Sequence, residues 1–303
     1  MKSPVLALLL ASSAALHATT LSVASNYNVY VLGTMNESNT DAEGRVAVAG
    51  NATLNGYGVG SSFSSNPSSA GNSLVVGGNL VMNGEVQYGN LVHGGTLSGG
   101  FGVPRGSITH GSAVDFNTTN SYLLNASSYW GGLASTGNTA VQAWGGIYLS
   151  GSNSDLNIFT LSGAALASTN TLAIDAPSGS TVLVNVTGDY SRMFQMGFSF
   201  WDINNDGRGT VNRQNVIYNF VDATSLDLGG VGIQGSILAP RATVNFNNGN
   251  IDGNLIAGNL FGSGEAHNYL FQGTLPTPVT VPEPSAFLLS CLTGALLVWR
   301  RRR

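Results

Sequence analysis

A short unit, apolar-x-Gly-Asn/Ser-apolar, returns along the middle of the chain and constrains its fold more than any other feature. Val48-Ala-Gly50-Asn51-Ala-Thr-Leu54-Asn55-Gly56 comes back as Val76-Gly-Gly78-Asn79-Leu-Val-Met82-Asn83-Gly84. Ile233-Gln-Gly235-Ser236-Ile237-Leu238 is echoed 18 residues later by Ile251-Asp-Gly253-Asn254-Leu255-Ile256, and shorter echoes stand at Gly89-Asn90-Leu91-Val92 and Gly258-Asn259-Leu260. A strand this short cannot bury its apolar face alone. Stacking successive turns of chain puts alternate residues into one core and pairs each backbone with the turns above and below. Glycine supplies corners with φ > 0 and close backbone approach, and asparagine tolerates the same corners while its amide ladders between turns. The pattern predicts a β-solenoid with rungs of unequal length. A sandwich or jelly roll with Gly-rich turns is the competing all-β reading.

Composition narrows the function classes. Only 9% of the 303 residues are charged and 41 are Gly, unlike a charge-coated cytosolic enzyme. Lysine occurs once, at Lys2, and the long middle carries only Arg45, Arg105, Arg192, Arg208, Arg213 and Arg241. No cluster of cations is available to displace phosphate counterions, so a nucleic-acid partner is not expected. The lone cysteine, Cys291, stands in a hydrophobic tail, which leaves the middle without a disulfide or a thiolate metal site.

Both ends read as addresses. Residues 1–18 combine a cation at Lys2, an apolar run from Val5 to Leu10 and small residues before Ala18, the pattern of a signal peptide for the Sec export machinery. Cleavage after Ala18 puts the bulky Leu16 where a small residue is expected, so a cut after Ala15 also fits. A Pro-rich linker over 274–280 then leads into an apolar run from Ser285 to Trp299. As a helix that run spans ~22 Å, short of the ~30 Å hydrocarbon core, and Arg300, Arg301, Arg302 and Arg303 form a cytoplasmic basic stop. A transient inner-membrane anchor fits this short span; a permanent single-span anchor is the alternative. Pro282-Glu283-Pro284, the apolar segment and the terminal Arg cluster, together 281–303, resemble a PEP-CTERM sorting signal. That resemblance implies recognition by an exosortase-type transpeptidase of a Gram-negative bacterium, cleavage near the motif, and release to the cell surface or extracellular matrix.

One stretch breaks the strand rhythm. From Asp115 to Leu133, Phe116, Leu123 and Trp130 recur at heptad spacing beside Tyr122, Ala126 and Tyr129, which predicts one helix lying along the solenoid, capped by Asp115 and stopped at Gly131-Gly132. Two longer segments then carry a second resemblance. Asn26-Tyr27-Asn28 through Ala42-Glu43-Gly44-Arg45-Val46-Ala47, and Val216 through Gly264-Glu265-Ala266-His267-Asn268-Tyr269, are similar to the choice-of-anchor A domain. The likeness covers nearly all of 19–273, with Ala266 standing where many members carry Gly. It implies an adhesin-like protein with a right-handed β-helical fold.

Chemical motifs are sparse. Asp202-Ile-Asn204-Asn-Asp206-Gly207 has the opening spacing of an EF-hand calcium loop, but its twelfth position is Arg213 in place of the bidentate Glu, so an Asx-rich turn is the stronger reading and no cofactor is expected. Glu265 and His267 share a strand face, an acid and a base without a visible third group or pocket; a structural role is favoured. His93 and His110 are expected in surface turns. Phe194, Met196, Phe198 and Phe200 alternate with smaller or polar residues, and a stripe of this size belongs in the core. No G-x-S-x-G, P-loop or H-E-x-x-H motif is present. Together these features predict a non-enzymatic adhesin or biofilm structural component that binds exopolysaccharide or a matrix or cell-surface ligand. A β-helical polysaccharide lyase or hydrolase is the alternative. Ice binding would want a flat, regular Thr array, which Thr53 and its neighbours do not form.

Overall fold

The structure, a computed structural model, describes residues 20–200 and 211–278. The proposed signal peptide with Ala18, the candidate calcium residues Asp202, Asn204 and Asp206, and the sorting segment with Pro282, Glu283, Pro284 and Arg300 to Arg303 lie outside the described residues. Strands dominate, and most join one 20-stranded sheet whose paired strands all run parallel. The sheet curls so that each turn of chain contributes to three stacked faces. This is the architecture of a β-solenoid.

The first face stacks Leu156–Ser162, Thr181–Thr187, Val216–Phe220, the openings of Ser236–Asn247 and Leu255–Gly262, then Val29–Val31, Val46–Val48, Asn72–Val76, Asn90–His93 and Ile108–His110. The second face runs from Tyr190–Phe194 and Ser225–Gly229 through the ends of Ser236–Asn247 and Leu255–Gly262. It continues through the openings of Met35–Ala42, Ala52–Val59 and Leu80–Val86 to Leu97–Ser98. On the third face lie Gly232–Gln234, Asn250–Asp252, Glu265–His267, the ends of those same three N-terminal strands, and Phe101–Gly102. A second, 4-stranded sheet of Asn138–Val141, Gly146–Ser150, Thr171–Asp175 and Gly197–Phe200 extends the third face.

The repeats in the sequence are the rungs. Val48 pairs with Val76 and Ala52 with Leu80, while Ile233 pairs with Ile251 and Ile237 with Leu255, so each echo lies directly over its original. Inward residues of all three faces, among them Val29, Met35, Leu54, Val59, Leu80, Ile233 and Val244, form one continuous core. The corner glycines are required by close approach. A Cβ on Gly78 would lie 2.4 Å from Asn51 Oδ1 and 2.7 Å from the Gly50 carbonyl oxygen of the preceding rung. Asn51 Oδ1 accepts from the Asn79 N–H at 2.8 Å, and Asn79 Oδ1 from the Thr96 N–H at 2.8 Å, so each Gly-Asn corner makes room for the amide of the last.

Strands of the first face are buried on both sides, which is why they read as short unbroken apolar runs such as Val29-Tyr-Val31 and Val46-Ala-Val48. Their outward residues, Ile158, Leu183, Ile217, Leu238, Ile256, Tyr30, Ala47, Val75 and Val92, form a second core with helix α1, Phe116–Gly131. The expected helix is present. Asp115 caps it, accepting from the Thr118 N–H at 3.1 Å, and Thr119, Leu123, Ala126, Ser127 and Trp130 make the buried stripe. Near its far end two carbonyls, those of Ser127 and of Trp130 in the last turn, are met by two buried amides. Asn219 Nδ2 donates to the Ser127 carbonyl at 2.9 Å and Asn185 Nδ2 to the Trp130 carbonyl at 2.8 Å.

The path of the chain differs from a simple winding from one end to the other. It starts in the middle at Val29–Val31, descends to Ile108–His110, returns along α1, and winds down again until Leu255 pairs with Val29. Buried asparagines seal that seam. Asn28 Nδ2 donates to the Gly253 carbonyl at 2.8 Å, and Asn254 Nδ2 to the Tyr27 carbonyl at 2.6 Å.

Candidate functional site

Helix α1 and the segments around 20–27 and 268–276 cover the first face, with Leu21, Phe271 and Leu275 buried on it. Among the described residues, the second and third faces present strand surfaces to solvent along their length, and the first does so only at its last strand, Ile108–His110. Their outward side chains follow from strand alternation, in which every other residue leaves the core.

On the second face, one outward column reads Arg192, Asp227, Asn245, Phe261, Asn36, Thr53, Val81 and Ser98. Polar members are cross-linked along the stack. Asn245 Nδ2 donates to Asp227 Oδ1 at 2.9 Å, Tyr190 Oη to Asp227 Oδ2 at 3.1 Å, and Asn83 Nδ2 to Asn55 Oδ1 at 2.8 Å. Interleaved with them are exposed apolar groups: Tyr190 and Phe194 at 47% each and Val81 at 39%. The Arg192 guanidinium sits 5.6 Å from the Phe194 ring centroid. Thr53 has Asn36 and Val81 as its neighbours on adjoining rungs, so the Thr residues form no ladder there.

Phe194 departs from the expected buried stripe. The chain turns a corner at Gln195 (φ 48°), which leaves Phe194 outside on the second face while Met196 is buried and Phe198 and Phe200 pack on the core from the third. The residue parity that makes a stripe holds within a strand and resets at a corner.

The third face carries a cluster of titratable groups around Asp252. Glu265 and His267 do share a strand face, and the structure adds the group that sequence spacing could not supply: Asp252, one rung away, which pairs in register with His267. His267 Nδ1 lies 2.7 Å from Asp252 Oδ1 and its Nε2 lies 3.3 Å from Glu265 Oε1. Asp252 also accepts from Gln234 Nε2 and Asn250 Nδ2, both at 3.1 Å, and forms an ion pair with Arg213. Burial alone would lower the His267 pKa. The hydrogen bond to Asp252 and the charges of Glu265, Glu43 and Asp252 outweigh that, and the value is raised. Asp41 is also raised, first by burial and then by Glu265 and Glu43. With a carboxylate beside each of its two nitrogens, the imidazole links Asp252 of one rung to Glu265 of the next. Asp252 thus takes contacts from four neighbours, His267, Gln234, Asn250 and Arg213.

Among the described residues, no group of three or more His, Cys, Asp or Glu side chains is placed to hold a metal ion. Arg213, the twelfth position of the calcium-like stretch, is engaged by Asp252. His93 and His110 stack edge to face at 5.1 Å on neighbouring rungs of the first face.

Fold and surface together define a β-solenoid that presents its second and third strand faces and covers its first with a helix. Residues 20–268 match the family described as "Putative Ice-binding-like adhesive domain", and the chain belongs to that family. Residues 280–303 match the PEP-CTERM protein-sorting motif, the signal of proteins exported to the envelope of Gram-negative bacteria. The choice-of-anchor A resemblance is not the family that this match names. Among solved structures, the chain is similar to an ice-binding protein from the Antarctic ascomycete Antarctomyces psychrotrophicus, at 14% identity over 84% of this chain and 98% of that one, with a TM-score of 0.36. An ice-binding protein from an Antarctic biological consortium is similar at 13% identity, over 88% and 96% of the two chains, with a TM-score of 0.35. One from an Antarctic Flavobacteriaceae bacterium matches at 11% identity over 86% and 100%, with a TM-score of 0.33. At such values the fold stands on the strand registers alone. No curated protein matches the chain.

Proposed function

We propose that this chain is an exported, surface-displayed adhesive protein without catalytic activity, which binds exopolysaccharide or another matrix or cell-surface ligand through its second face. The observation that carries this reading is the make-up of that face. Amides and hydroxyls of Asn245, Asn36, Thr53 and Ser98 share its outward column with Phe261 and Val81, and the exposed rings of Tyr190 and Phe194 stand on its outermost strand. Planar amides both donate and accept, and aromatic faces cover the apolar side of a sugar ring, so the two together suit a neutral, hydroxyl-rich polymer. Rungs repeat every ~4.8 Å, and several weak contacts held on one rigid scaffold add to useful avidity. In this account the Sec machinery exports the chain, the short apolar segment 285–299 holds it transiently in the inner membrane, and an exosortase-type transpeptidase acts at Pro282-Glu283-Pro284. Calcium has no part in it.

A second reading, a β-helical polysaccharide lyase or hydrolase, draws on the imidazole held between Asp252 and Glu265. The donors from His267, Gln234 and Asn250 and the Arg213 ion pair that crowd Asp252 favour a structural role instead. Ice as a ligand, suggested by the family's description, meets a column in which Thr53 stands between Asn36 and Val81. The mature chain should bind saturably on an array of exopolysaccharides, whole cells and matrix proteins, and Thr53→Lys with Asn245→Lys should weaken it about tenfold by placing hydrated cations among the contacts. Release of reducing sugar from any arrayed polymer, or absence of binding together with unchanged cell aggregation when the protein is deleted, would overturn the reading.

A further inference from the structure

The two ends of the coil are finished differently. The upper end is closed over two faces, and the third finishes on an antiparallel strand. Asn138–Val141 adds antiparallel to Gly146–Ser150, helix α2 (Gly163–Ala167) packs over Tyr190–Phe194, and the 136–137 backbone bonds the Ile158 carbonyl at the outer edge of Leu156–Ser162. At the lower end the last strands, Leu97–Ser98, Phe101–Gly102 and Ile108–His110, pair only with the rung above among the described residues. The core ladder therefore runs out into solvent. Leu91 is fully buried and its rung partner Ile108 is 50% exposed; Leu80 is fully buried, and its partner Leu97 with Phe101 and Val103 is only half covered. The one Lys, Arg, Asp or Glu side chain in this last rung, Arg105, is turned back onto the Gln87 carbonyl and the Tyr88 ring of the rung above. Solenoid ends and open strand edges normally carry a polar cap or charge, because an open edge is a template for pairing.

We infer that this open lower end docks against the same end of a second copy of the chain. Three observations select that occupant. A head-to-tail stack would need an open parallel edge at the other end, and there the outermost strand runs antiparallel. That leaves the self-complementary, closed arrangement of a twofold pair. The chain's own segments outside the description leave from elsewhere: Thr20 bonds Gly273, and the outgoing segment bonds Thr181 and Trp130 near the upper end. Thr181–Thr187 lies eight pairings up the first face from Ile108–His110, roughly 38 Å at ~4.8 Å per strand, so the tail toward the sorting motif departs far from the open end. Resting on the surface-adhesive reading, the open end stands away from the end that leads to the sorting motif, free to join copies displayed on opposing cells. A single rung is a small contact, so the pair is weak, and many copies on each surface supply the strength.

Sedimentation velocity of the mature chain over a wide concentration range tests this. The weight-average mass should climb reversibly toward twice that of the monomer. Ile108→Lys should weaken the association by about tenfold or more, while Val141→Lys, at the closed end, should leave it as in the parent. Thr109→Lys serves the same purpose should Ile108→Lys fail to give the parent's circular dichroism. A parent that stays monomeric throughout, or a dimer unaffected at both 108 and 109, overturns the inference. Monomers that still bind the array would remove self-docking and leave the adhesive reading, whereas dimers that bind nothing would do the reverse.

Discussion

Glu37 points into the core between Leu54 and Gly262 of the adjoining rungs and is 1% exposed, with neither carboxyl oxygen in a full hydrogen bond. Burial pushes its pKa up to about 8, and the Gly264 backbone offsets this only a little. From about 4.5 to about 8 the folded chain keeps a proton that the unfolded chain releases, so stability falls as pH rises through that window and levels above it. His267 acts in the same direction: its raised value stabilises fully below about 6.5 and is lost as pH rises through the folded pKa. Urea unfolding at about pH 5 and about pH 9 should show a smaller drop for Glu37→Gln than for the parent; equal drops would refute the assignment. Gly78→Ala tests the corner packing. Its new methyl meets the Gly50 backbone and the Asn51 amide, neither free to retreat, and a cost of about 2 kcal/mol is expected in thermal melts. The corners were legible because Gly-Asn pairs recur in the sequence. Glu37 was not, since a carboxylate on an alternating strand reads as outward and only the rung register shows which parity faces in.

Helix α1 shows how an element is fixed from both ends. Asp115 and the heptad-spaced Phe116, Leu123 and Trp130 announced it, and its buried stripe follows from that spacing. What holds its far end, the Asn185 and Asn219 amides, came from strands otherwise apolar, and nothing local marks those asparagines as buried. Asn219→Leu should cost about 2–3 kcal/mol, because it strips the Ser127 carbonyl and hydroxyl and the Asn185 amide of their partner, and should speed hydrogen exchange in the second half of α1. Unchanged exchange there would mean the amides do not anchor the helix. The aromatic stripe illustrates the opposite case. Its alternation is real, yet it crosses the corner at Gln195, and Phe194 ends outside.

At the scale of the molecule, repeats predicted neighbouring rungs but not which rungs are neighbours. Nothing in the apolar-x-Gly-Asn pattern says that Val29 will pair with Leu255, since that follows only once α1 carries the chain back along the first face. The same route decides function. Covering the first face leaves the second and third for ligands, and the third is occupied by its own ion pairs around Asp252. Hydroxyl-radical footprinting of the protein with a polymer it retains from the exopolysaccharide array tests the central claim most directly. Protection is expected over Tyr190, Phe194 and Phe261 of the second face, with Tyr148 and His267 of the third unchanged. Protection confined to the third face would contradict the account.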